Sequence, residues 1–215
     1  MNPAQHITLC GKQLHGLRHI CAFFDSRDEQ YAVLTPYLKE GIERGDQVLT
    51  ILESKTHADH TARLTTAGIP VADASERGQL KVLASEDTYL KGGSFAAERM
   101  YKMLEDALTG ARESGFSRVR TVGDMEWALQ EVDGVEELMT YEAHVNQLAS
   151  QHDCTLLCAY DINLFSGRVI ADVLATHSHV LLGGRIHENP HFVDPVTYLQ
   201  KLALRRKPAS PARIH

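Results

Sequence analysis

The sequence predicts an α/β domain of three layers, with a mostly parallel central sheet and helices on both faces. Segments of strand character and segments of helical periodicity alternate along the chain, the order that favours parallel strands joined by right-handed crossovers. The stretch RHICAFFDSRD, from Arg18 to Asp28, reads as a buried strand that runs into a polar turn and then a helix. Farther on, Met100, Met103, Leu104, Ala107, Leu108 and Ala111 form a continuous apolar stripe, the mark of a helix that covers a core.

The first fifteen residues carry no clear pattern and are expected to be poorly ordered. His19 to Phe24 is the first strand, ended by the polar series Asp25, Ser26, Arg27 and Asp28. Tyr31, Leu34, Leu38 and Ile42 then recur at helical spacing up to Arg44 and Gly45. Pro36 lacks a backbone donor and is expected to kink this helix or to lie near its start. QVLTIL, Gln47 to Leu52, is the second strand, and a weakly amphipathic helix from about Lys55 to Ala67 ends at Gly68. Leu80 to Ala84 is the third strand, and the glycine-bearing loop from Tyr89 to Ser94 leads into the striped helix.

Arg118 to Val122 is the fourth strand and enters the sequence GDMEWALQ. Asp133 and Glu136 have capping-box spacing and are expected to open a helix through Leu138, Tyr141, Val145 and Leu148. TLLCAYD, Thr155 to Asp161, is the fifth strand; Ile170, Val173 and Leu174 mark a short helix, and Val180 to Leu182 a sixth strand that ends at Gly183 and Gly184. Asp194 before Pro195 is a good N-cap with proline at the first helical position, so the last helix starts there and runs to about Arg205. One domain is expected over residues 16–205, with a disordered tail over 206–215. The chain shows no repeat of fixed period, but CAFFD at Cys21 to Asp25 and CAYD at Cys158 to Asp161 echo each other.

Composition bounds the function. A chain of 215 residues that is 43% hydrophobic can build one sizeable core. A net charge of -6 argues against direct nucleic-acid binding, which needs a basic surface. The basic end LRRKPASPARIH has two prolines and little apolar content, and reads as a disordered end rather than a binding arm. No apolar run is long enough to span a bilayer, and the N-terminus lacks the features of a signal peptide, so a cytoplasmic protein is expected. The 4 cysteines are irregularly spaced and are expected to be reduced thiols.

The turn after the first strand, DSRDEQ, has no glycine and no lysine before Ser or Thr, and its carboxylates would repel a phosphate, which argues against a Walker-type loop. In GDMEWALQ, Asp124 and Glu126 could act as acid and base, bind a metal or simply start a helix, and Trp127 offers an apolar wall. Glu142 shares a helix face with Leu138 and Val145, so a carboxylate is turned toward the apolar side. Buried alone it would cost several kcal/mol, and an arginine such as Arg118 or Arg120 is its expected partner. His177 points inward by its spacing from Val173 and Leu174, and with His19, Cys21 and Cys158 it could make a thiolate and imidazole site. The spacings are not those of zinc motifs, and no metal or other cofactor is assigned. Cys154 and Cys158 share one strand face. His57 and His60 read as exposed and are assigned no role.

Taken in order, HICAFFDSRDEQYAVLTPYLKEGIERGDQVL, GQLKVL, DTYLKGGSF, GDMEWAL, YEAHVN, LLCAYD, ATHSHVLLGGRI and ENPHFVDP resemble the sensory domain named for methanogens, methylotrophs and the dichloromethane-dehalogenase repressor, MEDS. The resemblance covers about residues 16–200. It implies a sensory domain of prokaryotic signalling or transcriptional regulation that detects simple hydrocarbon derivatives, on a RecA or KaiC type of sheet without a working phosphate loop. Members often carry a DNA-binding segment or a histidine-kinase module. The chain has no room for either, so its output is expected through a partner, a histidine kinase or transcription regulator, or through self-association.

The leading expectation is a stand-alone sensor that holds a small, largely apolar molecule in a crevice at the carboxyl ends of the strands. Its walls are expected from His19, Cys21 and Phe24, from Met125 and Trp127, and from Tyr160 and Asp161, with Glu126 and His177 as orienting polar groups. A hydrolase or lyase is the competing reading, with Glu126 or Asp161 as base and Cys21 or Cys158 as a nucleophile activated by His19. A third is an interaction module that sequesters a kinase or a sigma-type factor.

Overall fold

The computed structural model describes residues 7–15 and 18–206, so the disorder expected of the tail beyond Arg206 falls outside the described residues. The strands are β1 (Ile7–Leu9), β2 (Lys12–Leu14), β3 (His19–Phe24), β4 (Gln47–Leu52), β5 (Leu80–Ala84), β6 (Val119–Asp124), β7 (Cys154–Asp161), β8 (His179–Leu182) and β9 (Arg185–Glu188). The helices are α1 (Arg27–Arg44), α2 (His57–Thr66), α3 (Val71–Glu76), α4 (Ala97–Glu113), α5 (Leu138–Gln151), α6 (Gly167–Thr176) and α7 (Pro195–Arg206).

Seven strands form one sheet in the order β5-β4-β6-β7-β3-β8-β9. Every pairing is parallel except that of β8 with β9. β3, β4 and β6 are buried along their whole length, as strands covered on both faces must be. The two-residue period of a strand sorts the side chains into two layers. Cys21, Phe23, Leu156, Cys158 and Tyr160 face α4, α5 and α6, whereas Ile20, Ala22, Phe24, Leu157 and Ala159 face α1, α2 and α3. α7 adds Tyr198 and Leu202 against Ala143 of α5.

α1 starts where the sequence turns polar. The Ser26 hydroxyl accepts the Glu29 amide at 3.2 Å, and Asp28 and Glu29 sit at the positive end of the helix dipole. The helix runs on through Pro36 and ends at Gly45, whose φ of 80° favours glycine. Pro36 therefore lies inside the helix, not near its start. Against this helix Arg120 of β6 is fully buried, bonded to Asp46 at 2.7 Å, Glu40 at 2.9 Å and the Tyr37 carbonyl at 2.8 Å.

Several elements differ from the sequence pattern. The unpatterned opening contains the antiparallel hairpin β1-β2, whose Ile7, Leu9 and Leu14 are buried in the α1 layer. Three-residue strands are too short to show a period. α3 and β9 are missed for the same reason, being only 6 and 4 residues long. The capping box at Asp133 and Glu136 does not form: Gly134 takes φ 88°, a 3-10 turn intervenes, and α5 begins at Leu138. The N-cap at Asp194 does form, accepting the amides of Val196 and Thr197 at 3.1 Å each.

Candidate functional site

Four ligand-type side chains meet inside the layer between the sheet and α5. β3 contributes His19 and neighbouring β7 contributes Cys158, both turned to the same face by strand alternation. α5 contributes Glu142, and the chain leaving α6 contributes His177 in an extended conformation. One donor atom from each lies within 4.8 Å of all the others, and all four residues are buried. Glu142 Oε2 is 3.2 Å from His19 Nε2, 3.5 Å from His177 Nε2 and 3.6 Å from Cys158 Sγ. Cys158 Sγ is 3.8 Å from His19 Nε2, and the two imidazole centroids are 3.9 Å apart.

A polar frame fixes this group. The Tyr160 hydroxyl donates to Glu142 Oε1 at 2.8 Å. Asn146, one turn on from Glu142, donates its amide to the carbonyls of Glu142, Ala143 and Thr176 and turns its oxygen to His19 Nδ1 at 3.3 Å. His177 Nδ1 lies 2.8 Å from the Val173 carbonyl. Burial alone would raise the Glu142 carboxyl, but the imidazoles of His177 and His19 and the Tyr160 hydroxyl outweigh it and hold the group below its ordinary value. Burial, together with His19, pushes His177 down to about 3 against the opposing pull of Glu142, and its Nε2 finds no hydrogen-bond partner among the described residues.

Glu142 is therefore partnered by histidines and a tyrosine, not by arginine. Arg118 is bound to Asp153 at 3.0 Å, and Arg120 faces the opposite layer and Asp46. Cys21 stands outside the group, with its thiol 3.5 Å from the His179 carbonyl. Burial, reinforced by the Glu142 charge, pushes the Cys21 and Cys158 thiols well above the usual range, and burial lifts Cys154 up to about 12. Such thiols are protonated and poorly nucleophilic.

The residues expected to wall one pocket are divided by the sheet. His19, Cys21, Tyr160 and His177 lie on the α5 face, whereas Phe24 is on the α1 face because it is an odd number of residues from His19 and Cys21. Met125 and Trp127 are fully buried in the α4 and α5 core, where Trp127 stacks on Tyr89 and packs on Phe95, each ring centroid 4.7 Å away. Asp161 caps its own turn, accepting the Asn163 amide at 2.8 Å.

At the carboxyl ends of β3 and β6, Arg27 holds both Asp124 and Glu126, the latter at 2.9 Å. Burial and Asp124 raise the Glu126 carboxyl, against the opposing effect of Arg27. Beneath Arg27 is a cavity of about 30 Å³ with apolar walls from Leu34, Leu38 and Val122 and polar groups from Tyr31, Thr50 and His60. His60 is buried, not exposed, with Nδ1 2.9 Å from the Tyr31 hydroxyl and Nε2 3.2 Å from Thr50 Oγ1. Arg27, His60 and Asn146 are absent from the expected site. The signals for Arg27 and Asn146 were a lone cation among the carboxylates of DSRDEQ and the four-residue step from Glu142 to Asn146 in YEAHVN.

Residues 18–178 match the family model of the methanogen/methylotroph, DcmR sensory domain, MEDS. Over 161 residues the chain is 30% identical to the transcriptional repressor DcmR of Methylorubrum extorquens, covering 74% of this chain and 57% of the repressor. The chain thus spans little more than half the length of the curated relative it matches. The fold is shared with the crystal structure of a KaiC-like protein from the hyperthermophilic archaeon Pyrococcus horikoshii, at a TM-score of 0.56 and 8% identity over 76% of this chain and 70% of that one. The sheet is thus of the RecA-like α/β type. No helix among the described residues is long and apolar enough to cross a membrane.

Proposed function

The chain belongs to the MEDS sensory family, and from that premise we propose that it senses a small, largely apolar molecule at the carboxyl edge of its sheet and signals through a regulatory partner or self-association. The observation that carries this reading is the cavity under Arg27, which combines aliphatic walls with three convergent polar groups at the strand ends. A single water needs about 10–15 Å³ of such space, so this cavity suits a molecule of only a few heavy atoms. The ion pairs of Arg27 with Asp124 and Glu126 occupy the mouth where a nucleotide-binding sheet would place phosphates. Arg27 links α1 to β6, so a ligand that displaces it biases one arrangement of these elements over another, which is the requirement for a signal.

Thermal denaturation of the chain with short-chain alcohols, aldehydes and halocarbons tests the reading. A ligand at a hundredfold its Kd stabilises by about 2.7 kcal/mol, or roughly 2–4 °C per kcal/mol in a domain of this size. Val122→Phe should fill the cavity and abolish the shift. A shift that survives the filled cavity, or no shift with any compound, overturns the assignment.

A further inference from the structure

We propose that His19, Glu142, Cys158 and His177 form a binding site for one divalent transition-metal ion, zinc or ferrous iron in kind, on the opposite face of the sheet from the cavity under Arg27. The first argument is geometric. Ligands at about 2.0–2.3 Å from a tetrahedral ion lie roughly 3.3–3.8 Å from one another. Of the six separations among these donor atoms, four are 3.2, 3.5, 3.6 and 3.8 Å, and all six lie within 4.8 Å.

The second argument is the direction of the lone pairs. The Asn146 amide nitrogen is committed to three carbonyls, so its oxygen faces His19 and places the ring hydrogen on Nδ1. The Val173 carbonyl does the same for His177. Both Nε2 lone pairs therefore point at the Glu142 carboxylate, and that of His177 has no hydrogen-bond partner among the described residues. Three acceptors facing one another in a dry core repel unless a cation lies between them. Outer hydrogen bonds to the second nitrogen of each histidine, and from Tyr160 to the free oxygen of Glu142, are the supports a metal site uses to orient its ligands.

The third argument is charge. Binding releases the Cys158 thiol proton to solvent, and the resulting thiolate with the Glu142 carboxylate balances a divalent ion, leaving the buried site neutral. A mixed set of sulfur, two imidazoles and one carboxylate suits ions of intermediate softness and disfavours magnesium or calcium. Cys21 is excluded from the set, since its thiol is directed to the His179 carbonyl.

Cobalt titration of the untagged, chelator-treated chain tests the site. The expected result is a thiolate-to-cobalt charge-transfer band with the strong visible bands of a four-coordinate ion, saturating near one equivalent and reversed by zinc. Cys158→Ser should abolish the charge-transfer band, His177→Ala should weaken cobalt binding by about tenfold or more, and Cys21→Ser should leave both unchanged. Near-ultraviolet circular dichroism establishes that each variant is folded. No band from the folded parent chain overturns the site whatever the variants do; a band lost in Cys21→Ser overturns the ligand set. The cavity-filled Val122→Phe chain should bind cobalt as the parent does.

Discussion

Glu142 and Tyr160 are joined by a 2.8 Å hydrogen bond at a place where neither side chain touches solvent. The phenol reaches the carboxylate oxygen that the histidines do not. Tyr160→Phe removes that donor and leaves a buried acceptor unsatisfied, so the variant should lose about 1–3 kcal/mol. Urea denaturation at neutral pH measures it, and an unchanged midpoint would show that Oε1 finds another donor.

Arg120 and Gly41 should show coupled effects. In an ordinary helix interior Gly→Ala gains up to about 1 kcal/mol, but a Cβ at Gly41 would lie 2.8 Å from Arg120 Cδ and 3.1 Å from Val48 Cγ2. Gly41→Ala should therefore destabilise. Arg120→Met strands Asp46 without its partner and should cost about 3–5 kcal/mol. The double variant should lose less than the sum, because the shorter side chain makes room, and a double-mutant cycle of denaturation free energies reads this directly.

His60 should make the fold sensitive to mild acid. Its ordinary value is 6.5 and it falls to about 4 in the fold, because burial, then His57 and Arg27, disfavour the imidazolium more than Asp59 supports it. Below pH 6.5 the unfolded chain binds a proton that the folded chain refuses. Stability from this group is thus complete above pH 6.5 and is lost toward pH 4, at up to about 1.4 kcal/mol per unit. Unfolding free energies of His60→Gln between pH 7.5 and pH 4.5 should fall less steeply than those of the parent; parallel curves would show that His60 is not the titrating group.

Trp127 should behave as core. It is fully buried between Tyr89 and Phe95, so Trp127→Ala should cost about 3–5 kcal/mol. Because it lies in the other layer from the cavity under Arg27, its fluorescence should report unfolding and change little with a small ligand. A large ligand-induced change before any unfolding would contradict that placement.

The sheet was legible because its strands are continuous apolar runs between helices with clear stripes, Met100 to Ala111 above all. β1, β2, α3 and β9 were not, since elements this short carry no period and are held by tertiary contacts. Glu142 was legible as an inward carboxylate, and His19, Cys158 and His177 as candidate ligands. Their convergence was not, because it depends on β3 lying next to β7 and on the chain after α6 passing beneath α5, pairings that no local signal specifies. Strand alternation puts Phe24 on the face opposite His19 and Cys21, and the weak amphipathicity of α2 does not show in sequence that His60 lies on its covered face.

The reversal from β8 to β9 has a further consequence. Gly183 and Gly184 both take positive φ, of 55° and 66°, and turn the chain back as an antiparallel strand in a sheet that is otherwise parallel. β9 carries the charges of Arg185 and Glu188 and is only four residues long. A short charged edge makes a poor template for strand addition by another copy. On the β9 side, therefore, the sheet offers little ladder for a further strand to extend, and its parallel register ends within the domain.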